Sequence, residues 1–550
     1  MRPIDPIVDA FLASEMAHSP VLASSLGLTD HDDRLDDLSG AAFAERAADG
    51  AAYLARFLAL ADGDLTPTER IDRDLAVAML RGRGVLAEWQ GWKRDPLVYS
   101  TPIVSGVYGL FLHRLRPEPA LVDAACARLA QARRALEQGR ANLDPALAHP
   151  LIVERAIGSA RGGARYVRDL LPGETRDPAL RARLAAAGAD AAAALTDWAD
   201  WLTGFAATAH GSWVFGEERY TRILREREEL PWDARGLREV GRREFDRLDA
   251  EMRALALRIA GTEDWHAVID RANREDRPVS EAGMRDAYEV WTARARDFLA
   301  REGLGTLPPG EECRVEPSPV FQRPVIGVAS YIAPPAFSDS LAGHFFVPFA
   351  PDGASAEEID ARLGANSHGG MPTTAVHEAY PGHHWHLVMR RLHASPIRRV
   401  LSTPYFNEGW ALYAERVMRE RGFFEEPIEE LYHLEATIFR AARIVIDTSL
   451  HLGEMSIEEG VAFLRGRLAM PEPTARAEIG RYAWWPTQAA AYLTGCLEIL
   501  RTRGDWLAAR GLGAVAIADL DPAVLRTFHD TLAMSGSLPP GLARRAMLGG

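Results

Sequence analysis

Apolar residues recur at every third or fourth position through most of residues 5–300, with charged residues between them. This spacing places the apolar side chains on one face of a helix, so it predicts a series of amphipathic α-helices. Two of these helices have a clear start, because Thr66-Pro67 and Asp177-Pro178 put a capping side chain before a proline in the first turn. The best-defined predicted helices cover residues 69–88, 119–143, 178–207 and 237–259.

The pattern changes between residues 304 and 370, where prolines, glycines and β-branched residues interrupt the helical spacing. Such residues predict a small sheet or a run of extended loops, centred on residues 311–350. Helical spacing resumes at residue 373 and continues to about residue 500. We therefore expect a mainly α, bundle-like fold with a minor β element. Residues 1–550 are expected to form one catalytic unit, with a helical lobe at 1–300 and a metal-site lobe at 301–550 around a cleft.

Charge and composition then narrow the classes of function. The chain has 63 Lys and Arg against 77 Asp and Glu, a net charge of −14, so it has no general attraction for nucleic acid. Its three cysteines, Cys126, Cys313 and Cys496, lie far apart without metal-ligand spacing, which is typical of reduced cytosolic cysteines. The N-terminal segment lacks the pattern of a signal peptide, and no apolar run approaches the ~18 residues of a membrane span. We expect a cytoplasmic protein that binds neither nucleic acid nor membranes.

Candidate chemistry is concentrated in TAVHEAYPGHHWH at residues 374–386. Zinc enzymes often place two histidines four residues apart on a helix, with a glutamate between them as the base. Here Pro381 and Gly382 follow His377-Glu378, and a proline cannot continue the helical hydrogen bonds, so the helix must kink or bulge. We favour His383 as the second ligand, because two looped-out residues would return it to the usual position. His384 is the alternative, because seven residues bring a regular helix back to nearly the same face.

A third ligand is expected from FNEGWALYAE at residues 406–415. Glu408 is the favoured carboxylate. Glu415 lies two helical turns further on and either holds the second nitrogen of a histidine or is an ordinary solvated acid. With His377 and His383, Glu408 would leave a position open for water, and we expect one Zn²⁺ ion, with Fe²⁺ or Mn²⁺ as alternatives.

Further polar residues follow on the next predicted helix. Charged side chains recur there every three to four residues within an apolar stretch, which is typical of a buried polar network: Glu435, Arg440, Arg443, Asp447 and His451. Arg443 either binds a substrate carboxylate or belongs to an internal ion-pair ladder. Tyr492 and His384 are candidates to stabilise an oxyanion, together with the cleft histidines His386 and His451. The candidate substrate-binding residues are Arg443, Tyr380 and His451.

Four segments together resemble the bacterial family known as domain of unknown function 885. The members of this family look like distant relatives of zinc metallopeptidases. The four segments are HEAYPGHH at 377–384, EGWALYAE at 408–415, RAARIVIDTSLH at 440–451 and RYAWWPTQAAAYLTG at 481–495. The resemblance implies a helical fold with a deep central channel, His377, His383 and Glu408 as metal ligands, and Glu378 as the base. The chain departs from the family pattern at Thr487, where glycine is usual, so its substrate pocket is expected to differ.

The predicted function is zinc-dependent hydrolysis of an amide or peptide bond in a small peptide or acyl-amino-acid-like substrate, with Glu378 as general base. Two alternatives use the same residues. The first is a non-heme Fe(II) or other metal-dependent enzyme, because two histidines and a carboxylate also bind iron. The second is a binding protein that keeps a vestigial site.

Overall fold

The computed structural model describes residues 4–320, 322–323 and 327–549, and helices make up most of this part of the chain. The first thirteen helices are α1 (Asp5–His18), α2 (Pro20–Ser25), α3 (Gly40–Leu58), α4 (Pro67–Trp89), α5 (Leu97–His113), α6 (Glu118–Ala130), α7 (Ala132–Asn142), α8 (Pro150–Arg165), α9 (Pro178–Ala206), α10 (Glu217–Arg222), α11 (Ala234–Ala260), α12 (Trp265–Glu275) and α13 (Glu281–Arg301). The others are α14 (Ala356–Gly364), α15 (Met371–Glu378), α16 (His383–Arg391), α17 (Pro396–Val400), α18 (Pro404–Glu420), α19 (Pro427–His451), α20 (Ile457–Leu468), α21 (Glu472–Trp484), α22 (Ala491–Ala508), α23 (Pro522–Met534) and α24 (Pro540–Leu548). The predicted mainly α fold is confirmed.

The predicted helix starts match their capping chemistry. The Thr66 hydroxyl accepts a hydrogen bond from the backbone N–H of Glu69, and the Glu69 carboxylate accepts one from the Thr66 N–H. The Asp177 carboxylate caps α9 by accepting hydrogen bonds from the backbone N–H groups of Ala179 and Leu180. The helix predicted over 119–143 is instead divided into α6 and α7 at Gln131. There the backbone N–H bonds to a carbonyl three residues back, and the side chain bonds to the N-terminal segment at Asp33 and Leu35.

The minor β element is a three-stranded sheet in the order β1-β3-β2, formed by β1 (Glu312–Pro317), β2 (Ser330–Ile332) and β3 (Ala342–Val347). The central strand, β3, pairs parallel with β1 and antiparallel with β2. Most of β3 is buried, as its apolar sequence predicts. The sheet lies within the predicted region, although positions 321 and 324–326 of that region lie outside the described residues, as do residues 1–3 of the N-terminal segment.

The buried apolar side chains form two clusters. One contains residues between 35 and 209, chiefly from α5 to α9. The other combines residues 4–85 with residues 215–547 and surrounds α15, α16, α18, α19 and α22. The lobe boundary near residue 300 stays a prediction, because these clusters describe side-chain contacts rather than separate folding units. Within the described part of the chain, no helix combines the length and the apolar character needed to cross a bilayer.

Candidate metal centre

The break between α15 and α16 determines where the histidines lie. Helix α15 ends at Glu378, the peptide bond between Tyr380 and Pro381 is cis, and α16 begins at His383. Gly382 is packed so closely that an added Cβ would lie 2.0 Å from the carbonyl oxygen of His377. Only glycine fits this approach, and the Pro-Gly pair therefore interrupts the helix as the sequence predicts.

His377, His383 and Glu408 come together at this break. One ligand atom from each lies within 4.8 Å of the others, and among the described residues this is the one set of three such side chains close enough to hold an ion. Oε2 of Glu408 lies 3.6 Å from Nε2 of His377 and 3.4 Å from Nε2 of His383. Two ligands at ~2.1 Å from a common ion in tetrahedral geometry lie ~3.4 Å apart, so these spacings fit one zinc-sized cation.

The charges of these groups also suit a cation. Burial opposes protonation of His377, but hydrogen bonding to Glu408 and Glu415 outweighs it and raises the pKa of the imidazole to about 9. Burial alone would raise the pKa of the Glu408 carboxyl, whereas positive charge on His383 and the hydrogen bonds from both histidines hold it well below its usual range. Both shifts favour positive charge next to the Glu408 carboxylate.

Glu415 orients the first histidine. Its Oε1 accepts a hydrogen bond of 2.7 Å from Nδ1 of His377, and its other oxygen lies 3.3 Å from Nδ1 of His433. Burial opposes ionisation of this fully buried acid, but the hydrogen bond from His377 and the nearby His433 imidazole lower its pKa to about 2. When His377 is neutral, the proton that Glu415 holds on Nδ1 leaves Nε2, which faces Glu408, as the nitrogen free to bind a metal ion.

Two glycines allow α18 and α22 to cross closely next to Glu408. Gly409 on α18 lies against Gly495 on α22, and an added Cβ on Gly409 would lie 2.5 Å from the Gly495 backbone. A Cβ on Gly495 would lie 1.8 Å from the carbonyl oxygen of Tyr405. This close crossing brings Glu408 beside the first turn of α22, where Tyr492 lies.

Glu378, the predicted base, lies next to this group and is mostly buried. Among the described residues, none donates a hydrogen bond to its carboxylate, so both oxygens are available to a proton donor. Burial raises the pKa of Glu378, and the negative charge of Glu408 adds to this, while His377, His383 and Arg440 oppose it. A carboxyl with a raised pKa is a better proton acceptor in a reaction near neutral pH.

Tyr492 faces the same centre. Its hydroxyl accepts a hydrogen bond of 3.3 Å from the amide of Gln488. Burial raises the pKa of the phenol, and the negative charge of Glu408 adds to this. The phenol therefore keeps its proton and can donate it in a hydrogen bond.

Two other predicted site residues, His384 and Tyr380, have different partners. Nε2 of His384 donates to Glu311 at 2.8 Å, and the Tyr331 hydroxyl donates to Nδ1 at 2.8 Å. The Tyr380 hydroxyl also donates to Glu311. The structure therefore places His384 and Tyr380 in a network between α16 and the sheet rather than with His377 and Glu408. Glu311, which the sequence analysis did not single out, is the centre of this network.

Arg443 and His451 are also engaged elsewhere. Arg443 donates to Glu478 at 3.1 Å and to the Tyr482 hydroxyl at 3.2 Å, so the internal ion pair is the interpretation that the structure supports. His451 is fully buried, with Nε2 3.0 Å from the carbonyl oxygen of Tyr482. His386 is fully buried against Phe406, and neither ring nitrogen has a hydrogen-bond partner among the described residues.

A family model for a bacterial protein of unknown function, domain of unknown function 885, matches residues 20–547. The chain belongs to this family. No protein with a curated function matches the sequence significantly.

Two solved structures share the fold along the whole chain. One is a candidate lipoprotein of unknown function from Shewanella oneidensis, with 21% identity, a TM-score of 0.78 and coverage of 100% of both chains. The other is a candidate lipoprotein from Colwellia psychrerythraea, with 18% identity, a TM-score of 0.81 and coverage of 100% of this chain and 99% of the relative. At these identities the likeness shows the common fold.

The predicted cytoplasmic location is wrong on this finding. Both structural relatives are described as lipoproteins, a class that is anchored to membranes or exported rather than free in the cytoplasm. The prediction depended on three scattered cysteines, which the structure shows as free thiols, on an N-terminal segment without the pattern of a signal peptide, and on the lack of a long apolar run. An exported protein without disulfides has the same property, so the cysteines do not decide the compartment.

Proposed function

We propose that this family member is a metal-dependent hydrolase that cleaves an amide or peptide bond in a small peptide or acyl-amino-acid-like substrate. The observation that carries the proposal is the spacing of His377, His383 and Glu408, which fits one zinc-sized ion. Glu378 follows the ligand His377 in α15, and Tyr492 lies on α22, which packs against the helix of Glu408. Metallopeptidases use the same types of ligand and base, which supports a common chemistry.

A zinc ion held by these three residues would lower the pKa of a water molecule and polarise the scissile carbonyl. Glu378 would accept the proton of the attacking water, since its carboxylate has no competing donor. The same carboxyl would then return the proton to the leaving amine. Tyr492 would donate a hydrogen bond to the oxygen that becomes negative in the transition state.

The proposal is tested by metal analysis and by hydrolysis of a peptide and acyl-amino-acid library. Protein purified without added metal should contain about one zinc per chain, and the zinc-loaded protein should hydrolyse part of the library. His377→Ala should lose both metal and hydrolysis. The exposed variant Glu357→Gln is the control, because Glu357 lies at the surface in α14.

Two results would contradict this proposal. Stoichiometric iron with turnover that requires oxygen would identify the Fe(II) enzyme instead. Equal rates of hydrolysis by the wild type and His377→Ala across the library would mean that hydrolysis does not depend on this centre.

A further inference from the structure

Three guanidinium groups surround the Tyr492 side of the centre. The guanidinium carbon of Arg443 lies 4.7 Å from the centroid of the Tyr492 ring, and that of Arg440 lies 5.9 Å from it. Arg481 acts on the same phenol electrostatically and hydrogen-bonds to Gln488, which in turn donates to the Tyr492 hydroxyl. We call Arg440, Arg443 and Arg481 the arginine cluster.

The arginine cluster has more positive charge than its carboxylate partners balance. Arg443 and Arg481 donate to the same oxygen, Oε2 of Glu478, at 3.1 and 2.9 Å. The Tyr482 hydroxyl donates to this oxygen as well, at 2.7 Å. One carboxylate therefore serves two guanidinium groups, and one positive charge remains before Arg440 is counted.

Within the described part of the chain, Arg440 has no ion-pair partner. Nη1 donates to the carbonyl oxygen of Ala436, one turn earlier on α19, and no carboxylate among the described residues lies within ion-pair distance. Its Nε is buried and has no hydrogen-bond partner among them either. A buried N–H of a charged group without an acceptor is unfavourable, so this side chain is suited to a ligand that supplies one.

The position of Arg440 points it to the metal centre. It lies seven residues after His433 on α19, which returns it to nearly the same helix face, and His433 lies 3.3 Å from Glu415. Arg440 also acts electrostatically on Glu378 and Glu415. It is therefore the member of the arginine cluster that combines a donor without a partner among the described residues with a position on α19, the helix that packs against both α15 and α18.

We propose that Arg440 binds a carboxylate of the substrate, so that the protein acts on molecules with a free carboxylate near the scissile bond, such as the C-terminus of a short peptide or an acyl-amino acid. A guanidinium group matches a carboxylate with two parallel hydrogen bonds, and Arg443 and Arg481 keep the surroundings positive. The choice of substrate rests on the proposed function, whereas the binding of a carboxylate does not. Arg440 takes the role that the sequence suggests for Arg443, because Arg443 is already paired with Glu478.

The test compares matched probes that differ only at the terminal group. They are N-benzoyl dipeptides with small, aliphatic or aromatic side chains, each as the free acid and as the C-terminal amide. Binding is measured by calorimetry on zinc-loaded Glu378→Gln protein, which should not turn the probes over. Adding Arg440→Gln to this Glu378→Gln protein should lower the affinity for the acids by about 10- to 100-fold and that for the amides by less than about 3-fold.

Arg440→Lys retains the charge without the planar pair of donors and should keep part of the preference for the acid, which separates binding from a folding defect. Arg526→Gln, at an exposed position on α23, is the control and should keep the full preference for the acid over the amide. The proposal is overturned if no acid in the panel binds more tightly than its amide, or if the preference survives in Arg440→Gln. A clear preference for acids in a protein that hydrolyses none of them would support the carboxylate site while contradicting the proposed hydrolase.

Discussion

Oε1 of Glu415 lies 2.7 Å from Nδ1 of His377, while Nε2 of the same imidazole faces Glu408. An acid that holds the second nitrogen of a ligating histidine fixes its tautomer and increases its basicity. Glu415 is fully buried, so water does not replace it easily.

We expect Glu415→Gln to weaken metal binding by about 10- to 100-fold, because the amide oxygen accepts a weaker hydrogen bond and supplies no charge. The measurement is a competition titration of zinc against a coloured chelator. Glu357→Gln should bind zinc as the wild type does. An unchanged zinc affinity in Glu415→Gln would show that this hydrogen bond does not support a metal ligand.

The Glu378→Gln variant distinguishes the role of the general base from that of the metal ligands. Glu378 lies beside the centre, but the ligand set consists of His377, His383 and Glu408. We expect the variant to retain about one equivalent of metal and to lose about 10²- to 10⁴-fold in kcat, because the amide cannot accept a proton from water. Metal content and single-turnover rates on the same preparation are the measurements, and normal hydrolysis by this variant would rule out the assigned role.

Some parts of the site depend only on residues that are neighbours in the chain, and these parts are predictable from the sequence. Pro381-Gly382 follows His377 directly, so the break and the favoured ligand, His383, come from local geometry. The spacing of Glu408 and Glu415 on one helix favours Glu408 as the metal ligand but leaves two interpretations of Glu415, which the hydrogen bond to His377 distinguishes. The break and the choice of His383 need no knowledge of distant segments.

Partners that lie far apart in the chain are not predictable in this way. Arg440 and Arg443 are three residues apart on α19 and look equivalent in the sequence. The structure distinguishes them because Glu478, on α21, pairs with Arg443 alone of the two. The same holds for His384, whose partner Glu311 precedes β1 by one residue and lies 73 positions away in the chain.

Gly382→Ala tests the break between α15 and α16. An added methyl group would lie 2.0 Å from the His377 carbonyl oxygen and 2.2 Å from that of Val376, so the backbone must move. We expect the free energy of unfolding to fall by about 3 kcal/mol and zinc binding to weaken, because His383 shifts relative to His377. Urea denaturation and zinc titration are the measurements.

Gly466→Ala is the matched control for this prediction. Gly466 lies within α20, and an added Cβ meets nothing within 4 Å among the described residues. This change should leave metal binding intact and stabilise the protein slightly, since alanine favours a helix over glycine. Equal stability and metal affinity in Gly382→Ala and Gly466→Ala would contradict the steric argument.

Asp447 is fully buried on α19, and its ionisation should make the free energy of unfolding depend on pH. Tyr220 donates a hydrogen bond of 2.5 Å to its Oδ2, while Oδ1 has no hydrogen-bond partner among the described residues. Burial raises the pKa of this carboxyl to about 7, against the opposing effect of the Tyr220 hydrogen bond. The folded protein therefore holds a proton on Asp447 at pH values where the unfolded chain, with an aspartate pKa of about 4, has released it.

Because the folded pKa is the higher of the two, the contribution of Asp447 to stability is fully present below about pH 4 and declines as the pH rises to about 7. Asp447→Asn keeps the acceptor for Tyr220 and cannot ionise, so we expect it to escape this decline. Its free energy of unfolding should exceed that of the wild type by an amount that grows between pH 4 and 7 and reaches a few kcal/mol, about 4 at most. Urea denaturation across this range is the measurement.

Asp519→Asn, at an exposed position, is the control, and its free energy of unfolding should follow that of the wild type throughout. A difference between Asp447→Asn and the wild type that stays constant with pH would show that Asp447 is ionised in the folded protein.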